Sequence, residues 1–454
     1  MSNRLQLLLD AWKTKRLGKH AIEERQQSRL ADIVNIARQN SPYYKELYKG
    51  LPDNIKDVSV LPITSKKKLM ERFDDWCTDR NIKLSEVQEL VKDPNLIGKK
   101  FLGKYTVATT SGTTGTPGIF LLDSHSMMVT SVLAIRMLSS WLAFGDVLKI
   151  IVGRGRMAMV MATGGHFASS IAAARMTKSR GKNFIALSAH KPMPELVASL
   201  NKFKPALLAP YASMGALLAT EQEEGRLNIR PVLITLSAEG LAESEYKRIA
   251  KVFDSKVGNS YAATECPFFS YSCKEGWLHV NSDWVIAEPV DVNYKRVSAG
   301  VQSHTVLVTN LANRIQPILR YDLGDGIILR PEPCPCGNKL PAIKVTGRSS
   351  DVVSFFDEKG QSVAIPPLAF SILVDHIQGI ERIQIVQTSP TILKVRLRYD
   401  NTSNQDIIWK EVKSSIEHLL RERGLNNITI ERANEPPEQS PAGKFREVIP
   451  LMKS

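Results

Sequence analysis

The sequence predicts an α/β protein. We expect a large N-terminal domain of layered α/β sheets with a smaller β-rich part, followed by a small, mobile α+β C-terminal domain. Helical and strand patterns alternate between residues 124 and 259, which is typical of helices packed on a substantially parallel sheet. Helical patterns disappear between residues 277 and 329, which indicates a more antiparallel part. The composition changes again after Gly347.

Helices are expected at the start of the chain. Apolar residues recur near helical spacing through residues 1–38, and Ser41 followed by Pro42 is a stop signal. Thr64 or Ser65 then caps a helix over residues 66–72, because a hydroxyl side chain can accept a hydrogen bond from the first N–H groups of a helix.

The middle of the chain alternates between two kinds of segment. A strand, a turn and a second strand are predicted over residues 104–108, 109–118 and 119–122. Helical patterns then occupy residues 124–142, 167–179, 193–202, 212–224 and 242–252. Short apolar strands are predicted at residues 148–152, 157–161, 184–187, 206–209, 232–236 and 256–259.

A separate domain is predicted at the C-terminal end, so that the chain divides into residues 1–347 and 348–454. The second unit has about a hundred residues, a normal size for a domain. Strands are predicted at 352–356, 362–365, 383–387, 392–399 and 428–432, with helices at 367–376 and 406–423.

Composition narrows the class of protein. Hydrophobic residues make up 43% and charged residues 23%, as in soluble globular proteins. No apolar run reaches membrane-spanning length and residues 1–19 lack a signal-peptide block, so we expect a cytoplasmic protein without a membrane partner. The net charge of +14 permits a nucleotide, coenzyme phosphates, an acidic carrier protein or nucleic acid as partner. Nucleic acid is not favoured, because no motif supports it.

The stretch from Thr109 to Gly118 combines hydroxyls and glycines between two apolar runs. Glycine lets a backbone turn sharply and approach a ligand, and hydroxyls and N–H groups can surround phosphate oxygens. The stretch is not a Walker A loop, because the required Gly-Lys-Ser/Thr does not follow. Taken alone, it fits a polar surface turn better than a phosphate loop.

Four downstream segments change that interpretation. They are residues 261–265 (YAATE), 321–325 (YDLGD), 347–351 (GRSSD) and 441–446 (PAGKFR). With the glycine–hydroxyl stretch and in this order, they resemble the core motifs of the adenylate-forming superfamily of acyl-CoA synthetases, adenylation domains and luciferases. Residues 40–44, 61–66 and 111–117 resemble the phenylacetate–CoA ligase branch. The segment 355–363 is similar to distant, capsule-biosynthesis-type members of that branch.

This resemblance implies an ATP-dependent ligase that needs Mg²⁺. A carboxylate would attack the α-phosphate of ATP to give an acyl-adenylate and pyrophosphate, and a thiol would then take the acyl group. Glu265 would bind Mg²⁺ as a hard oxygen donor, and Thr264 would lie near the α-phosphate. Lys444 would bridge the carboxylate and α-phosphate oxygens as a point charge. The resemblance assigns the remaining nucleotide contacts to Ser111, Gly112, Thr113, Thr114, Gly115 and Thr116 (phosphates), Tyr261 (adenine), Asp325 (ribose), Glu239 and Arg348.

The chain departs from the family pattern at two positions. Gly118 stands where the phosphate loop commonly has a lysine, and Ser350 with Asp351 stands where a hinge commonly has Asp-Asp. CoA is the acceptor that the resemblance implies, while a carrier-protein thiol or an amine stays open. A nucleotide-binding homologue without ligase activity is the second hypothesis, but binding alone would not need Glu265, Asp325 and Lys444 together.

The resemblance also indicates where the acid binds. The small carboxylic acid, preferably an aromatic one, would lie near Tyr211 and Ser237, with His166 as a further candidate wall. His166 would otherwise simply start a helix. The resemblance leaves a homodimer possible as the assembled form.

The five cysteines do not suggest a disulfide framework. Cys334 and Cys336 lie in a proline-rich turn, and Cys273 and His279 supply another thiol and an imidazole. Three sulfurs and one nitrogen would form a closed, structural zinc site, and similar sets occur in relatives of this branch. Free buried thiols with a surface histidine are the alternative, and Cys266 is a competing ligand.

Overall fold

The computed structural model describes residues 4–14, 18–110, 118–161, 163, 165–241, 243–348, 351–365, 367–374, 377–399, 404–439 and 445–451. Over these residues the chain is a mixed α/β protein with large sheets, which confirms the predicted fold class. The helices are α1 (Arg4–Thr14), α2 (Lys19–Asn40), α3 (Pro42–Leu47), α4 (Lys66–Glu71), α5 (Phe73–Trp76), α6 (Leu84–Lys92), α7 (Ser124–Trp141), α8 (Phe144–Val152), α9 (Ala168–Arg180), α10 (Met193–Phe203), α11 (Ala212–Glu223), α12 (Glu243–Phe253), α13 (Pro367–Val374) and α14 (Gln405–Glu422).

The strands form five sheets among the described residues. They are β1 (Lys100–Phe101), β2 (Tyr105–Thr109), β3 (Ile119–Leu122), β4 (Met157–Met161), β5 (Phe184–Ser188), β6 (Leu207–Pro210), β7 (Leu233–Leu236), β8 (Lys256–Tyr261), β9 (Ser270–Ser272), β10 (Leu278–Val280), β11 (Val285–Val290), β12 (Thr305–Asn310), β13 (Ile318–Asp322), β14 (Asp325–Leu329), β15 (Ala342–Arg348), β16 (Val353–Phe356), β17 (Ser362–Ile365), β18 (Ile380–Ser389), β19 (Ile392–Tyr399), β20 (Thr429–Arg432) and β21 (Val448–Ile449).

The central feature is a nine-stranded sheet in the order β14-β15-β10-β9-β8-β7-β6-β4-β5. Strands β8, β7, β6, β4 and β5 run parallel, and helices α9 to α12 connect them. The other four strands continue the sheet in antiparallel fashion. The structure confirms five predicted helices, α7 and α9 to α12, to within one residue at each end.

One predicted strand is wrong. Residues 148–152 belong to helix α8, although their run of Leu, Ile and Val resembles a strand. A short apolar run of this kind is compatible with either structure. The side chain of Asp146 accepts a hydrogen bond from the N–H of Ala143 at 2.8 Å and so stabilises the start of the helix.

The N-terminal helices pack on the β-rich part of the large unit. The predicted helical run from residue 1 forms α1 and α2, and α3 begins after Ser41, whose hydroxyl accepts from the N–H of Tyr44. Of the two predicted caps for α4, Ser65 accepts from the N–H of Lys68, whereas Thr64 bonds to the carbonyl of Leu319. The three-stranded sheet β11-β12-β13 completes this part, as the antiparallel pattern predicts.

A buried ionic cluster fastens α1 and α2 to α7. Arg136 in α7 lies 2.7 Å from the carboxylate of Asp283, and both side chains are almost wholly buried. Burial alone would raise the pKa of Asp283, but the neighbouring Arg136 and Arg29 lower it. Arg29 in α2 lies 3.4 Å from the same carboxylate and 2.5 Å from Asp10 in α1. The charges therefore neutralise one another inside the protein, as buried charges must.

The residues after 350 have a hydrophobic core of their own. The hairpin β16-β17 and the sheet β20-β19-β18-β21 pack with α13 and α14 around side chains such as Phe355, Phe370 and Ile416. The predicted strands and helices are all present in the described residues, although the boundary between 347 and 348 stays a prediction.

No single helix of the described residues is long and apolar enough to cross a membrane. Helices α7 and α8 meet this test only as a pair, and they are bent by 107° relative to each other.

Candidate functional site

The candidate site lies at the carboxyl ends of the parallel strands. Tyr211 follows β6, Ser237 follows β7 and Tyr261 ends β8. Because neighbouring parallel strands end at one edge of a sheet, these residues lie together, and Tyr211 pairs directly with Ser237. A cleft of about 2560 Å³ runs along this edge and is also lined by Phe445 and Arg446 from the C-terminal part.

Asp325 is held between a phenol and a guanidinium. Tyr261 donates its hydroxyl to Oδ2 of Asp325 at 2.5 Å, and Nε of Arg348 lies 3.7 Å from Oδ1. The strand register explains the second contact, because Asp325 in β14 directly faces Arg348 in β15. Burial and the charge of Asp325 raise the pKa of Tyr261, so the phenol remains a proton donor at neutral pH. Three predicted nucleotide-binding residues therefore meet in one group.

Glu265 is a buried carboxylate at the same edge. Its Oε1 accepts a hydrogen bond from the hydroxyl of Tyr321 at 2.9 Å, and its backbone carbonyl accepts one from the side chain of Asn310. Burial raises the pKa of Glu265, which Tyr321 and the more distant Arg348 partly oppose. Glu265 lines the cleft, and the positive charge of Arg348 only partly offsets its burial. A carboxylate in such a position is suited to binding Mg²⁺. The preceding residue, Thr264, also lines the cleft.

The two ends of the glycine–hydroxyl loop are fastened to each other. The N–H of Thr110 donates to the carbonyl of Gly118 at 2.9 Å, and the N–H of Gly118 donates to Oγ1 of Thr110 at 2.8 Å. These bonds extend the β2-β3 hairpin beyond its strands, and Thr110 lines the cleft. The predicted phosphate contacts Ser111, Gly112, Thr113, Thr114, Gly115 and Thr116 lie outside the described residues.

Lys66 is a site residue that sequence reasoning missed. A Cβ atom added to Gly118 would lie 2.6 Å from the ring of Phe120 and 3.3 Å from Cδ of Lys66, so glycine is required there by packing. Lys66 begins α4 and lines the cleft. A lysine side chain therefore lies beside the very position at which the family pattern places one. The signal was present in the sequence, since Lys66 belongs to a segment that carries the resemblance, but its proximity to Gly118 is visible only in three dimensions.

Glu239 joins the large unit to the C-terminal part. Its Oε2 accepts from the N–H of Ser213 at 3.0 Å, and its Oε1 accepts from the N–H of Phe445 at 2.6 Å. Ser213 lies in the first turn of α11, where N–H groups lack partners within the helix, so the carboxylate caps that helix. Ala238 has a positive φ of 73°, an uncommon conformation that turns the chain just before Glu239. The carboxylate of Glu239, which the sequence predicts as a nucleotide contact, thus accepts hydrogen bonds from two backbone N–H groups.

The segment that begins at Phe445 is anchored on both sides. The guanidinium of Arg382 lies 4.6 Å from the centre of the Phe445 ring, and it also donates to the carbonyl of Ser213. Arg446 forms a 2.5 Å ion pair with Asp351, and its backbone carbonyl accepts from Gln384. Lys444 and Ser350 lie outside the described residues, so their predicted roles stay predictions.

The predicted acid pocket is only partly assembled. Tyr211 and Ser237 line the cleft, and the hydroxyl of Tyr211 lies 3.1 Å from that of Ser169. His166 is not among the residues that line the cleft. It is buried, and its Nε2 lies 3.1 Å from the carbonyl of Asp93, so its ring is directed to the α6 side. As the alternative interpretation had it, His166 lies just before a helix, α9.

Cys273, His279, Cys334 and Cys336 form a compact cluster. Their ligand atoms all lie within 4.8 Å of one another. The sulfurs of Cys273 and Cys334 are 3.7 Å apart, far longer than a disulfide bond. Two thiolates on one tetrahedral zinc, at about 2.3 Å each, would be separated by about 3.8 Å. These four residues could therefore hold a zinc ion.

The imidazole of the cluster is oriented for metal binding. Nδ1 of His279 lies 2.8 Å from the carbonyl of Leu340 and donates its proton there, which leaves Nε2 directed at Cys336 at 3.1 Å. Such a hydrogen bond to the second nitrogen is usual for a metal-bound histidine. Cys266, the competing ligand, is instead buried in the main hydrophobic core and lies outside the cluster.

Comparison with known proteins supports the resemblance. No protein-family model matches the chain. The chain is 24% identical to Protein CapK of Staphylococcus aureus over 457 residues, which covers 95% of this chain and 89% of that protein. This distant relative agrees with the predicted similarity to capsule-type members.

The chain has the fold of the adenylate-forming ligases. It is similar to a 2-hydroxyisobutyryl-CoA ligase in the postadenylation state, with a TM-score of 0.67 and 18% identity over 97% of this chain and 91% of that one. The same ligase with CoA in the thioesterification state gives a TM-score of 0.57, with 19% identity over 96% and 91% of the two chains. An anthranilate CoA ligase in complex with anthranoyl-AMP gives 0.50, with 13% identity over 75% and 64%.

Proposed function

We propose that the protein is an AMP-forming acid–thiol ligase. In the first step a carboxylate oxygen attacks the α-phosphorus of ATP, the bond to the β-phosphate breaks, and acyl-adenylate and pyrophosphate form. In the second step a thiol attacks the acyl carbon, its proton is released, and AMP leaves as the thioester forms. Both steps join or separate anions, so positioning and charge neutralisation supply most of the catalysis.

The meeting of Tyr261, Glu265, Asp325 and Arg348 at one edge of the cleft carries this proposal. Asp325 and Glu265 come from distant parts of the sequence, yet both face the cleft together with a shared cation, Arg348. Asp325 would accept hydrogen bonds from the ribose hydroxyls, and Tyr261 would lie against the adenine. An ordinary surface turn would not bury a carboxylate beside a second one.

Phosphate binding would involve Lys66 as well as the loop. Thr110 and Gly118, which flank residues 111–117, are hydrogen-bonded to each other, and Gly118 lies next to Lys66. In this arrangement the ammonium group of Lys66 would supply the charge that Gly118 cannot, while loop hydroxyls and N–H groups surround the β- and γ-phosphates. Mg²⁺ held by Glu265 would neutralise phosphate oxygens when bound.

Glu239 would place Lys444 for the first step. The carboxylate of Glu239 accepts from the N–H of Phe445, the residue directly after Lys444. A closed position of residues 348–454 would thus present Lys444 to the cleft, and its release would admit the thiol in the second step. A C-terminal domain that moves at a hinge near Ser350 and Asp351 fits this two-step chemistry.

We further propose a phenylacetate–CoA ligase-like specificity, with an aromatic acid as substrate and CoA as acceptor. The rings of Phe167, Tyr211 and Phe268 line the cleft and would pack on an aryl group. The solved ligases of this fold include one with anthranoyl-AMP, which supports the class of substrate. A carrier-protein thiol and an amine are the competing acceptors.

Exchange of labelled pyrophosphate into ATP, screened over aryl and short aliphatic acids, tests the first step. We expect exchange with at least one acid, and a loss of roughly 10²- to 10³-fold in Lys444→Ala because a charge aligned with the transition state is removed. The exposed Lys410→Ala is the matched control and should retain exchange. ATP binding without exchange for any acid would favour a nucleotide-binding homologue instead.

Product analysis by mass spectrometry tests the second step. With the active acid, ATP and Mg²⁺, we expect a thioester when CoA is supplied. A product formed only with a pantetheinylated carrier protein or only with an amine would overturn CoA as the acceptor while leaving acid activation intact.

We also propose a structural zinc ion at Cys273, His279, Cys334 and Cys336. With four protein ligands it would have no open position for chemistry, and it would fasten the turn between β14 and β15 to β9 and β10. Metal analysis of protein purified without added zinc should find one equivalent, and substoichiometric zinc would contradict this proposal.

A further inference from the structure

Helix α8 lies across the amino ends of the parallel strands, the edge opposite the cleft. It leads into β4 through a short turn at Gly153, where an added Cβ would contact Ala206 just before β6. At its other end, Asp146 forms a 2.5 Å ion pair with Lys256, the first residue of β8. The helix is therefore fixed to the sheet at both ends.

The outward face of α8 is a stripe of exposed apolar side chains. They occur at positions separated by three or four residues, the spacing of one helix face, and their exposed fractions run from 41% to 84%. The stripe consists of Phe144, Val147, Leu148, Ile151 and Val152. None of the five lines the cleft. An amphipathic helix normally buries its apolar face, whereas α8 exposes it. Contiguous exposed apolar surface usually marks a binding site.

Basic side chains surround the stripe. Each parallel strand begins in register with its neighbour, so the residues that precede the strands lie at the same edge as α8. Exposed lysines and arginines occur at this edge: Lys149 in α8, Arg154 before β4, Lys182 before β5, Lys204 before β6 and Arg230 before β7. Most acidic residues at this edge are paired with a cation, whereas Asp254 is exposed. The pairs are Asp146 with Lys256, Glu223 with Arg248 and Glu224 with Arg226.

The apolar stripe and the basic side chains around it, here called the basic rim, together favour an anionic lipid surface as the binding partner. An apolar stripe with Lys and Arg beside it is the pattern of helices that lie in the membrane interface, where apolar groups enter the headgroup boundary and cations bind lipid phosphates. A second copy is disfavoured, because two basic rims would repel and one short helix offers far less than the roughly 800 Å² that each partner buries in a stable complex. An acidic carrier protein is disfavoured because its thiol must reach the carboxyl edge, about 15 Å away along the strands.

We propose that the protein binds peripherally to anionic membranes through α8. The apolar stripe enters the headgroup region, and the basic rim binds lipid phosphates. The cleft at the opposite edge of the sheet then faces away from the lipid. This inference does not depend on the proposed ligase activity.

Co-sedimentation of the full chain with lipid vesicles tests the proposal. We expect binding to phosphatidylcholine vesicles that contain phosphatidylglycerol, little binding to phosphatidylcholine alone, and release by high salt. The double variant Val147→Asp/Ile151→Asp should lose at least tenfold in the partition coefficient. Val292→Asp changes another exposed apolar residue, distant in sequence, and this control should bind as the wild type does.

Three outcomes would overturn it. They are equal binding of the wild type and the double variant, an absence of wild-type binding to anionic vesicles, or a wild-type dimer that the double variant converts to a monomer without any effect on vesicles. If the double variant fails to fold by circular dichroism, Lys182→Glu/Lys204→Glu replaces it. These two lysines are exposed, and their reversal should weaken binding about as strongly.

Discussion

The two edges of one parallel sheet have opposite chemistry. At the carboxyl edge, polar side chains are withdrawn from water and bonded to each other, as Glu265 is to Tyr321 and Asp325 is to Tyr261. At the amino edge, apolar side chains such as Ile151 are exposed and the cations beside them are solvated. Strands of four to six residues separate the two surfaces, so each can bind its own partner without sharing a residue. Variants at either edge can test whether the two are in fact independent.

Among the variants that distinguish the two edges, Asp325→Asn should have the largest effect. Asp325→Asn should raise the KM for ATP about 10- to 100-fold, because charge-assisted hydrogen bonds to the ribose are lost. It should leave vesicle binding unchanged, whereas Val147→Asp/Ile151→Asp should leave the KM for ATP unchanged. Steady-state exchange kinetics measure the KM for ATP, and co-sedimentation measures vesicle binding. Both are applied to the same four preparations, which include wild type and Val292→Asp. A variant that alters both properties would show that the two edges are not independent.

Lys66 should make a smaller contribution at the carboxyl edge. Lys66→Ala is expected to weaken ATP binding about 5- to 10-fold, the effect of losing one partly screened phosphate contact, while AMP binding changes less because it lacks the β- and γ-phosphates. Lys68→Ala, two residues away, exposed and not among the residues that line the cleft, is the control. Isothermal titration with both nucleotides measures the difference. An equal loss for ATP and AMP would contradict contact with the terminal phosphates.

Metal removal should affect neither edge specifically. A zinc chelator, or Cys334→Ser with Cys336→Ser, is expected to lower the Tm by on the order of 5 °C, because the turn between β14 and β15 is released. Lipid binding should persist at a temperature at which the protein is folded. Differential scanning calorimetry with and without added zinc measures the shift. A Tm that does not respond to chelation would exclude a structural metal.

The smallest expected effect is the release of a proton from Glu265 when Mg²⁺ binds. The pKa of Glu265 is raised above its ordinary value of 4.5, so the folded protein binds a proton that the unfolded chain would release. Its contribution to stability therefore falls as the pH rises above that ordinary value and through the raised one. Binding of Mg²⁺ with ATP in this range should release a fraction of a proton. Calorimetry in buffers of different ionisation enthalpy should detect the release in wild type and not in Glu265→Gln.

Parts of the fold were predictable because the helical periodicity is strong, as in α10 and α12. The failure at α8 has a physical cause: its apolar residues face solvent, the reverse of the usual arrangement, so their short run resembles a buried strand. The resemblance of their motifs to those of a known family allowed Tyr261, Glu265 and Asp325 to be grouped from the sequence. The contacts of Glu239 with Phe445 and of Lys66 with Gly118 could not be found this way, since they join segments whose distance depends on packing alone.

The buried cluster at Asp283 also bears on how the chain assembles during synthesis. The carboxylate binds Arg136, 147 residues earlier, and Arg29, 254 residues earlier. Helices α1 and α2 emerge from the ribosome before the segment that contains Asp283, so this partner charge does not yet exist. We therefore expect these helices to remain undocked, and open to proteases, until the segment containing Asp283 has been made. Helices α1 and α2 would thus be among the last parts to reach their final position.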